Sequence, residues 1–246
     1  MLKKLLVRLT LFCFAALAGL FILQVTRLII FTRKLSYDLT PFARNLADAP
    51  LRVLFVGDST AVGTGAVDNS RSVAGWLGQE YPHAQIVNYG ENGKRLSQLA
   101  RELSPGPEHY RLMVVQIGGN DILRFTPLSD MERDLDKVLE NARQMADSVV
   151  ILHSGNVGAA PVFIWPLDKI YEERTRAVRA LYIEKARAAG ALYVDLFAER
   201  DRDIFLKDVG KYYSPDRLHP SGDGYHWWYE RIRATLTASG IPSLRP

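Results

Sequence analysis

The feature that most constrains the fold is a series of short apolar runs that alternate with helical stretches. Five runs are strand candidates, and they read LRVLFVG from Leu51, AQIVNYG from Ala84, RLMVVQIGG from Arg111, SVVILHSG from Ser148 and ALYVDLF from Ala191. Helical patterns occupy the intervening and following residues, near 72–81, 95–103, 129–146, 171–189 and 221–238. Such alternation predicts an α/β domain with a central parallel sheet of about five strands and helices on both faces.

An apolar segment of a different kind lies near the N-terminus. No charged residue occurs from Leu9 to Val25, a run of 17 residues, and the apolar LIIF from Leu28 extends it. This length is just enough to cross a bilayer as a helix. The small residues of Ala16-Leu17-Ala18 also fit a signal-peptide cleavage site, which is the alternative. Because the apolar run continues past that point, we predict a retained single-pass transmembrane helix.

The predicted organisation has three parts: a membrane anchor over 1–35, a linker over 36–50 and one α/β domain over 51–246. Basic residues flank the anchor on both sides and leave its orientation open; they are Lys3, Lys4, Arg8, Arg27, Arg33 and Lys34. Our expectation is that the domain lies outside the cytoplasm, in the periplasm. Cys13 is the single cysteine, so the chain cannot form an internal disulfide.

The basic balance of the chain does not indicate nucleic-acid binding. The formal net charge is +4, but six of the 31 basic residues lie within 1–37, which contains no acidic residue. The remainder has 25 basic residues against 27 acidic ones. The predicted domain therefore has no basic excess with which to bind phosphate groups, and we expect no nucleic-acid partner.

The loop after the first strand candidate, GDSTAVGTG from Gly57, fits three alternatives: a phosphate-binding loop, a serine nucleophile on a sharp turn, or a plain turn. A Walker-type loop needs four residues between its first glycine and a Gly-Lys pair, whereas Gly57 and Gly63 enclose five and no lysine follows. The nucleophile motif G-x-S-x-G nearly fits, but Ala61 replaces the last glycine.

A second polar group, near the C-terminus, favours the nucleophile. In SPDRLHPSGDG, Asp216 precedes His219 by three residues, and Ser221 is a plausible N-cap for the last helix. A compact turn with this spacing lets the carboxylate orient one ring nitrogen while the other faces a serine hydroxyl. A nucleophilic serine needs such a base, and the base needs such an acceptor.

Two glycine-containing loops follow the second and third strand candidates. They are NYGENG, which contains Gly93, and QIGGND, which contains Asn120. Loops at the carboxyl ends of parallel strands converge at one edge of the sheet. Ester hydrolysis needs donors for the developing oxyanion, and the Gly93 backbone N–H and the Asn120 side-chain NH₂ suit that role.

Together these four blocks resemble the SGNH or GDSL hydrolases, in the order GDS, the glycine of NYGENG, GGND and DRLHP. The resemblance spans most of the chain from Leu51 to Ala238. It implies a flavodoxin-like three-layer α/β/α sandwich that uses no metal or cofactor. One departure is Thr60, where many members of the family have leucine.

The resemblance also implies roles for individual residues. Ser59 would be the nucleophile, His219 the general base and acid, and Asp216 the residue that orients His219. The N–H groups of Ser59 and Gly93 and the side chain of Asn120 would form the oxyanion hole. Substrate-binding residues are not predicted.

Other features have structural interpretations. We expect Asp58 and Asp121 to brace loops through hydrogen bonds, and Tyr182 and Ile183 to lie in the core. The apolar segment VFIWPLDKIYEER, from Val162, is either a substrate lid or a connection that packs on the core.

These observations predict a membrane-anchored serine hydrolase that cleaves a carboxylic ester through an acyl-enzyme. A lipid-derived or other acyl ester is the leading substrate, because the anchor would hold the site near the bilayer and the apolar ILRF after GGND would line it. The alternatives are an acetyl esterase or acetyltransferase that acts on an envelope polysaccharide, and an inactive binding module with the same fold.

Overall fold

The central element is a parallel five-stranded sheet, seen in a computed structural model that describes residues 2–32 and 39–240. Its strands are β1 (Leu51–Gly57), β2 (Ala84–Gly90), β3 (Tyr110–Gln116), β4 (Ala146–Leu152) and β5 (Leu192–Tyr193). They are ordered β2-β1-β3-β4-β5, and every pairing is parallel. This is the flavodoxin-like strand order, which confirms the predicted fold class.

Helices follow the strands in the predicted alternation. They are α1 (Leu2–Thr32), α2 (Ser59–Val62), α3 (Val73–Glu80), α4 (Leu96–Glu102), α5 (Gly119–Leu123), α6 (Leu128–Met145), α7 (Leu167–Ala189), α8 (Ile204–Lys207), α9 (Val209–Tyr212) and α10 (Gly222–Ala238). Ser221 caps α10, since its side chain accepts a hydrogen bond from the Gly224 N–H at 3.2 Å, as predicted.

Two hydrophobic clusters cover the two faces of the sheet. Successive side chains of a strand point to opposite faces, so Leu54 and Val56 of β1 pack with α4, α6 and α7, while Val53 and Phe55 pack with α3 and α10. All four side chains are at most 2% exposed. Burial on both faces explains why β1 is a nearly continuous apolar run.

Part of the predicted linker packs against the edge of the sheet. Arg44 pairs with Ile86 of β2 through two backbone hydrogen bonds of 2.9 Å. Its guanidinium donates to the carbonyl oxygens of Gly78, Tyr81 and Pro82 near the C-terminus of α3. Residues 33–38 and 241–246, which include parts of the predicted anchor, linker and domain, lie outside the described residues.

Of the two residues of α7 predicted to lie in the core, one is buried and the other is exposed. Tyr182 is fully buried, and its hydroxyl donates to the Ile117 carbonyl at 3.0 Å. Ile183, by contrast, is 39% exposed, so its assignment to the core was wrong. The two residues are adjacent on α7, and a rotation of about 100° per residue turns the second away from the sheet.

Helix α1 is mostly exposed and contains a stretch of 25 residues, Lys3–Arg27, that is long and apolar enough to cross a membrane. A signal sequence has the same properties. Near the end of this stretch the helix contacts the domain through Gln24, which is 4% exposed.

Candidate active site

The residues predicted for catalysis come together at the carboxyl end of the sheet. Ser59 is the first residue of α2, directly after β1. Gly93 follows β2, and Asn120 lies in α5 after β3. These three residues and His219 line one cavity of about 240 Å³. The chain reverses its strand order at β1, and open α/β sheets bind ligands beside such a position.

Asp216, His219 and Ser59 form a continuous hydrogen-bonded series. Nε2 of His219 lies 2.9 Å from Oγ of Ser59, and Nδ1 of His219 lies 2.6 Å from Oδ2 of Asp216. The Asp216 side chain is fully buried, and that of His219 is 15% exposed at the cavity. When Nδ1 carries the proton donated to Asp216, Nε2 is free to accept the serine proton.

Asp216 is held ionised and in place by several donors. Its Oδ1 accepts hydrogen bonds from the Ser214 hydroxyl at 2.5 Å and from the Leu218 and His219 N–H groups at 2.9 Å. Burial raises the pKa of this carboxyl, but the bond and charge of His219, together with these donors, outweigh burial and leave the pKa below its ordinary value. The carboxylate is therefore a fixed negative charge beside the imidazole.

The loop that carries Asp216 and His219 is a tight turn. The Ser214 N–H donates to the His219 carbonyl, and Arg217 adopts a left-handed conformation with φ 59° between the two site residues. Gly65 packs against this turn with φ 101°, and a Cβ atom there would lie 2.9 Å from Cβ of His219. It would also lie 2.5 Å from the carbonyl oxygen of Pro220, so a side chain at Gly65 would force this turn to shift.

The residues on either side of Ser59 fix the start of α2. Asp58 caps the helix: its Oδ1 accepts from the Thr60 N–H at 2.9 Å and from the Thr60 hydroxyl at 2.8 Å. Burial raises the pKa of Asp58, partly offset by these bonds. Thr60 stands where many members of the family have leucine, and here it has a structural role, because its N–H and its hydroxyl both bond to Asp58. Asp121 similarly accepts from the Leu96 N–H and the Thr126 hydroxyl, as predicted for a loop-bracing residue.

Two candidate oxyanion donors, Asn120 and Gly93, line the same cavity as Ser59 and His219. The Asn120 Nδ2 donates one hydrogen bond to the Lys94 carbonyl at 3.1 Å. An amide nitrogen carries two hydrogens, so this bond orients the group and leaves a second donor. Gly93 adopts φ 79°, and a Cβ atom there would meet nothing within 4 Å.

Apolar side chains form much of the cavity wall. They come from α5, α8 and α10, from the loops after β4 and β5, and from the turn between Asp216 and His219, and they include Leu123, Val157, Leu196, Phe205, Leu218 and Trp228. Asn156 and Asp203 add polar groups. The sequence predicted an apolar lining from ILRF after GGND, and Leu123 of that segment does line the cavity. The other apolar side chains come from segments far apart along the chain, which only tertiary packing brings together.

The sequence analysis did not identify Ser214 as a residue that holds Asp216. The signal was present, because Ser214 lies two residues before Asp216 and a short polar side chain at that spacing is common in turns. Within residues 2–32 and 39–240, no group of three or more His, Cys, Asp or Glu side chains is placed to hold a metal ion.

The parallel sheet, in the order β2-β1-β3-β4-β5 with helices on both faces, defines a flavodoxin-like α/β protein, and its carboxyl edge holds a serine, a histidine and a buried aspartate. More particularly, the chain belongs to the GDSL-like Lipase/Acylhydrolase family, whose model matches residues 55–227. This membership confirms the resemblance to SGNH and GDSL hydrolases, a family generally of ester hydrolases.

Solved structures share the fold at low sequence identity. A member of the lipolytic G-D-S-L family from Veillonella parvula is 18% identical with a TM-score of 0.58, covering 76% of this chain and 98% of its own. A variant of an acetyl xylan esterase from Geobacillus stearothermophilus is 19% identical with a TM-score of 0.53, covering 76% and 95%. The structure of TesA is 22% identical with a TM-score of 0.56, covering 76% and 98%. No curated protein sequence matches the chain.

Proposed function

We propose that the protein is a membrane-anchored serine hydrolase that cleaves a carboxylic ester, with a lipid-derived or other acyl ester as its substrate. The observation that carries this proposal is the series Asp216–His219–Ser59, with bonds of 2.6 and 2.9 Å, at an apolar cavity. Family membership supports the reaction class, and the apolar wall supports an acyl group as the part of the substrate that enters.

The proposed reaction proceeds in two halves. His219 takes the proton of Ser59 as its Oγ attacks the acyl carbonyl carbon, and the carbonyl oxygen becomes negative. The N–H groups of Ser59 and Gly93 and the Asn120 side chain stabilise that oxygen. His219 then donates its proton to the leaving alcohol, and an acyl-enzyme remains on Ser59. Water, deprotonated by His219, attacks the acyl carbonyl carbon. The bond to Oγ of Ser59 then breaks, His219 returns the proton to that oxygen, and the acid is released.

The membrane part of the proposal rests on α1. Its stretch Lys3–Arg27 has the length and composition of a membrane span. Retained as an anchor, it would hold the domain at the bilayer surface, where lipid-derived esters are concentrated. We place the domain on the periplasmic side.

Active-site labelling tests the nucleophile. A fluorophosphonate probe should modify the wild type at Ser59 and leave Ser59→Ala unlabelled, as peptide mass spectrometry would show. Ser154 also lines the cavity, so Ser154→Ala is the matched control and should still be labelled. Labelling that persists in Ser59→Ala would refute the proposed nucleophile, and absence of labelling in the wild type would favour an inactive binding module.

The acyl group is tested with p-nitrophenyl esters from acetyl to palmitoyl. An apolar cavity stabilises each added buried methylene by about 0.8 kcal/mol, so kcat/KM should rise beyond acetyl until the cavity is filled. A maximum at acetyl would instead favour the alternative of an acetyl esterase or acetyltransferase on an envelope polysaccharide.

A further inference from the structure

A glutamine of α1 is bonded to the backbone of the loop before α7. Nε2 of Gln24 donates to the Val162 carbonyl at 3.0 Å, and its Oε1 accepts from the Ile164 N–H at 3.0 Å. One turn further on, Arg27 donates to the Pro161 carbonyl at 3.1 Å. The side-chain amide of Gln24 therefore uses both its donor and its acceptor on the backbone of this loop, and it does so in a buried position.

The position of this contact along α1 places the loop at the membrane boundary. A helix rises about 1.5 Å per residue, so the uncharged turns between Arg8 and Arg27 are about 27 Å long, close to the roughly 30 Å hydrocarbon core. Gln24 is three residues before Arg27. With α1 spanning a bilayer, the loop that Gln24 holds would lie at the boundary between hydrocarbon and headgroups.

An apolar surface continues from this loop. We name it the apolar rim, and it consists of Phe125, Phe163, Trp165, Ile170 and Tyr171. Tyr171 packs between Phe163 and Phe125, with ring centroids 4.6 and 5.2 Å away. Trp165 is 66% exposed, and Phe125 and Ile170 are 47% and 45% exposed. An exposed tryptophan is typical of a surface at the interface between a membrane and water.

The apolar rim also borders the catalytic cavity. Leu123 and Ala160 line the cavity; the Tyr171 hydroxyl donates to the Leu123 carbonyl, and the Phe163 N–H donates to the Ala160 carbonyl. The Val162 N–H donates to the carbonyl of Arg217, between Asp216 and His219. The segment held by Gln24 is therefore joined to both the cavity wall and the catalytic turn.

From this arrangement we propose that the apolar rim lies on the lipid bilayer, and that Gln24 fixes the domain to its anchor in that orientation, so that the cavity faces the membrane surface. The inference rests on the proposed membrane anchoring and extends it from tethering to a defined orientation. Trp165 and Ile170 would enter the headgroup region, and an acyl chain would pass from the bilayer along the apolar rim to Ser59.

Depth-dependent quenching tests the orientation. In the full chain carrying Cys13→Ser, an NBD fluorophore is attached at Ile170→Cys, and the protein is reconstituted in phosphatidylcholine vesicles with lipids spin-labelled near the headgroup. The matched control is Ile183→Cys, an exposed isoleucine of the same helix about 20 Å away along α7. Quenching at position 170 should exceed that at position 183 by at least about threefold.

The failures of the two proposals are distinguishable. If the protein does not float with the vesicles, membrane anchoring itself is wrong, whatever the esterase activity. If it floats and both positions are quenched equally, the orientation is wrong while anchoring stands.

A second variant tests Gln24. Gln24→Leu keeps the segment apolar but removes both bonds, so the protein should still float while quenching at position 170 falls to the level at position 183. Thr10→Leu makes a similar polar-to-apolar change elsewhere in α1 and should keep the quenching difference. An unchanged difference in Gln24→Leu would overturn the role of Gln24.

Discussion

Asp216 combines burial, a low pKa and direct contact with His219, and its role separates a true triad from a serine–histidine pair. Asn at this position keeps the shape but can donate to the ring, which favours the tautomer with the wrong nitrogen protonated. The same change in serine proteases costs about 10⁴ in kcat, which sets an upper guide. We expect Asp216→Asn to lose at least about tenfold in kcat, measured by steady-state kinetics, with its circular dichroism spectrum retained.

Asp121→Asn is the matched control, because it neutralises another buried carboxylate that bonds loop groups rather than His219. Its kcat should fall less than that of Asp216→Asn. A folded Asp216→Asn enzyme with full activity would show that another group orients His219.

Asn120 tests the oxyanion hole. The contact strengthens only as negative charge develops, so Asn120→Ala should lower kcat by about 10²–10³ and leave KM nearly unchanged. Asn120→Asp keeps the size but replaces the donor with a carboxylate, and it should lose at least as much. An effect confined to KM would make Asn120 a substrate-binding residue instead.

At the scale of an element, the end of β4 carries a buried histidine that links stability to pH. His153 is 2% exposed, and Tyr193 of β5 lies 2.9 Å from its Nε2. Burial lowers the pKa of His153 from 6.5 to about 4. Between these values the unfolded chain binds the proton and the folded chain does not, so stability is lost as pH falls from about 6.5 to 4, by up to about 3 kcal/mol.

Urea unfolding of the wild type and His153→Gln at pH 7.5 and pH 5 would measure this loss. Burial raises the pKa values of Asp58 and Asp121, whose contributions have the opposite sign, so the difference between the two proteins isolates the histidine. The wild type should lose more stability on acidification than His153→Gln. Equal losses would show that His153 is protonated equally in both states.

The elements differ in how far the sequence determines them. The ends of β1 and β2 were predicted, because each apolar run stops at a glycine where the chain leaves the sheet, whereas β3 ends at Gln116, three residues before the end of its predicted run. β5 is shorter than its apolar run, with Leu192–Tyr193 alone paired to β4. Sheet pairing depends on a partner backbone, which local periodicity does not contain.

The site shows the same contrast. Ser59, Gly93, Asn120, Asp216 and His219 could be proposed from short motifs because each motif lies within a few residues along the chain. The contact of Gln24 with Val162 joins residues 138 positions apart, and no local pattern marks it. A glutamine within an apolar helix signals a buried partner but does not identify one.

At the scale of the whole molecule, the proposed orientation would join α1, the apolar rim and the cavity in one path from the bilayer to Ser59, and it predicts a dependence on how the substrate is presented. Trp165 lies outside the cavity lining, so Trp165→Ala should leave hydrolysis of a soluble short-chain p-nitrophenyl ester unchanged. With a long-chain ester carried in phosphatidylcholine vesicles, the same variant should be slower by at least about threefold, because the apolar rim would contact the bilayer less well.

Ile183→Ala removes an exposed apolar side chain at a distance from the apolar rim, and it should match the wild type on both substrates. The ratio of the vesicle rate to the soluble rate is the measured quantity, since a general loss of folded enzyme lowers both rates together and cancels. An unchanged ratio in Trp165→Ala would mean that the substrate reaches Ser59 through water rather than along the membrane face of the domain.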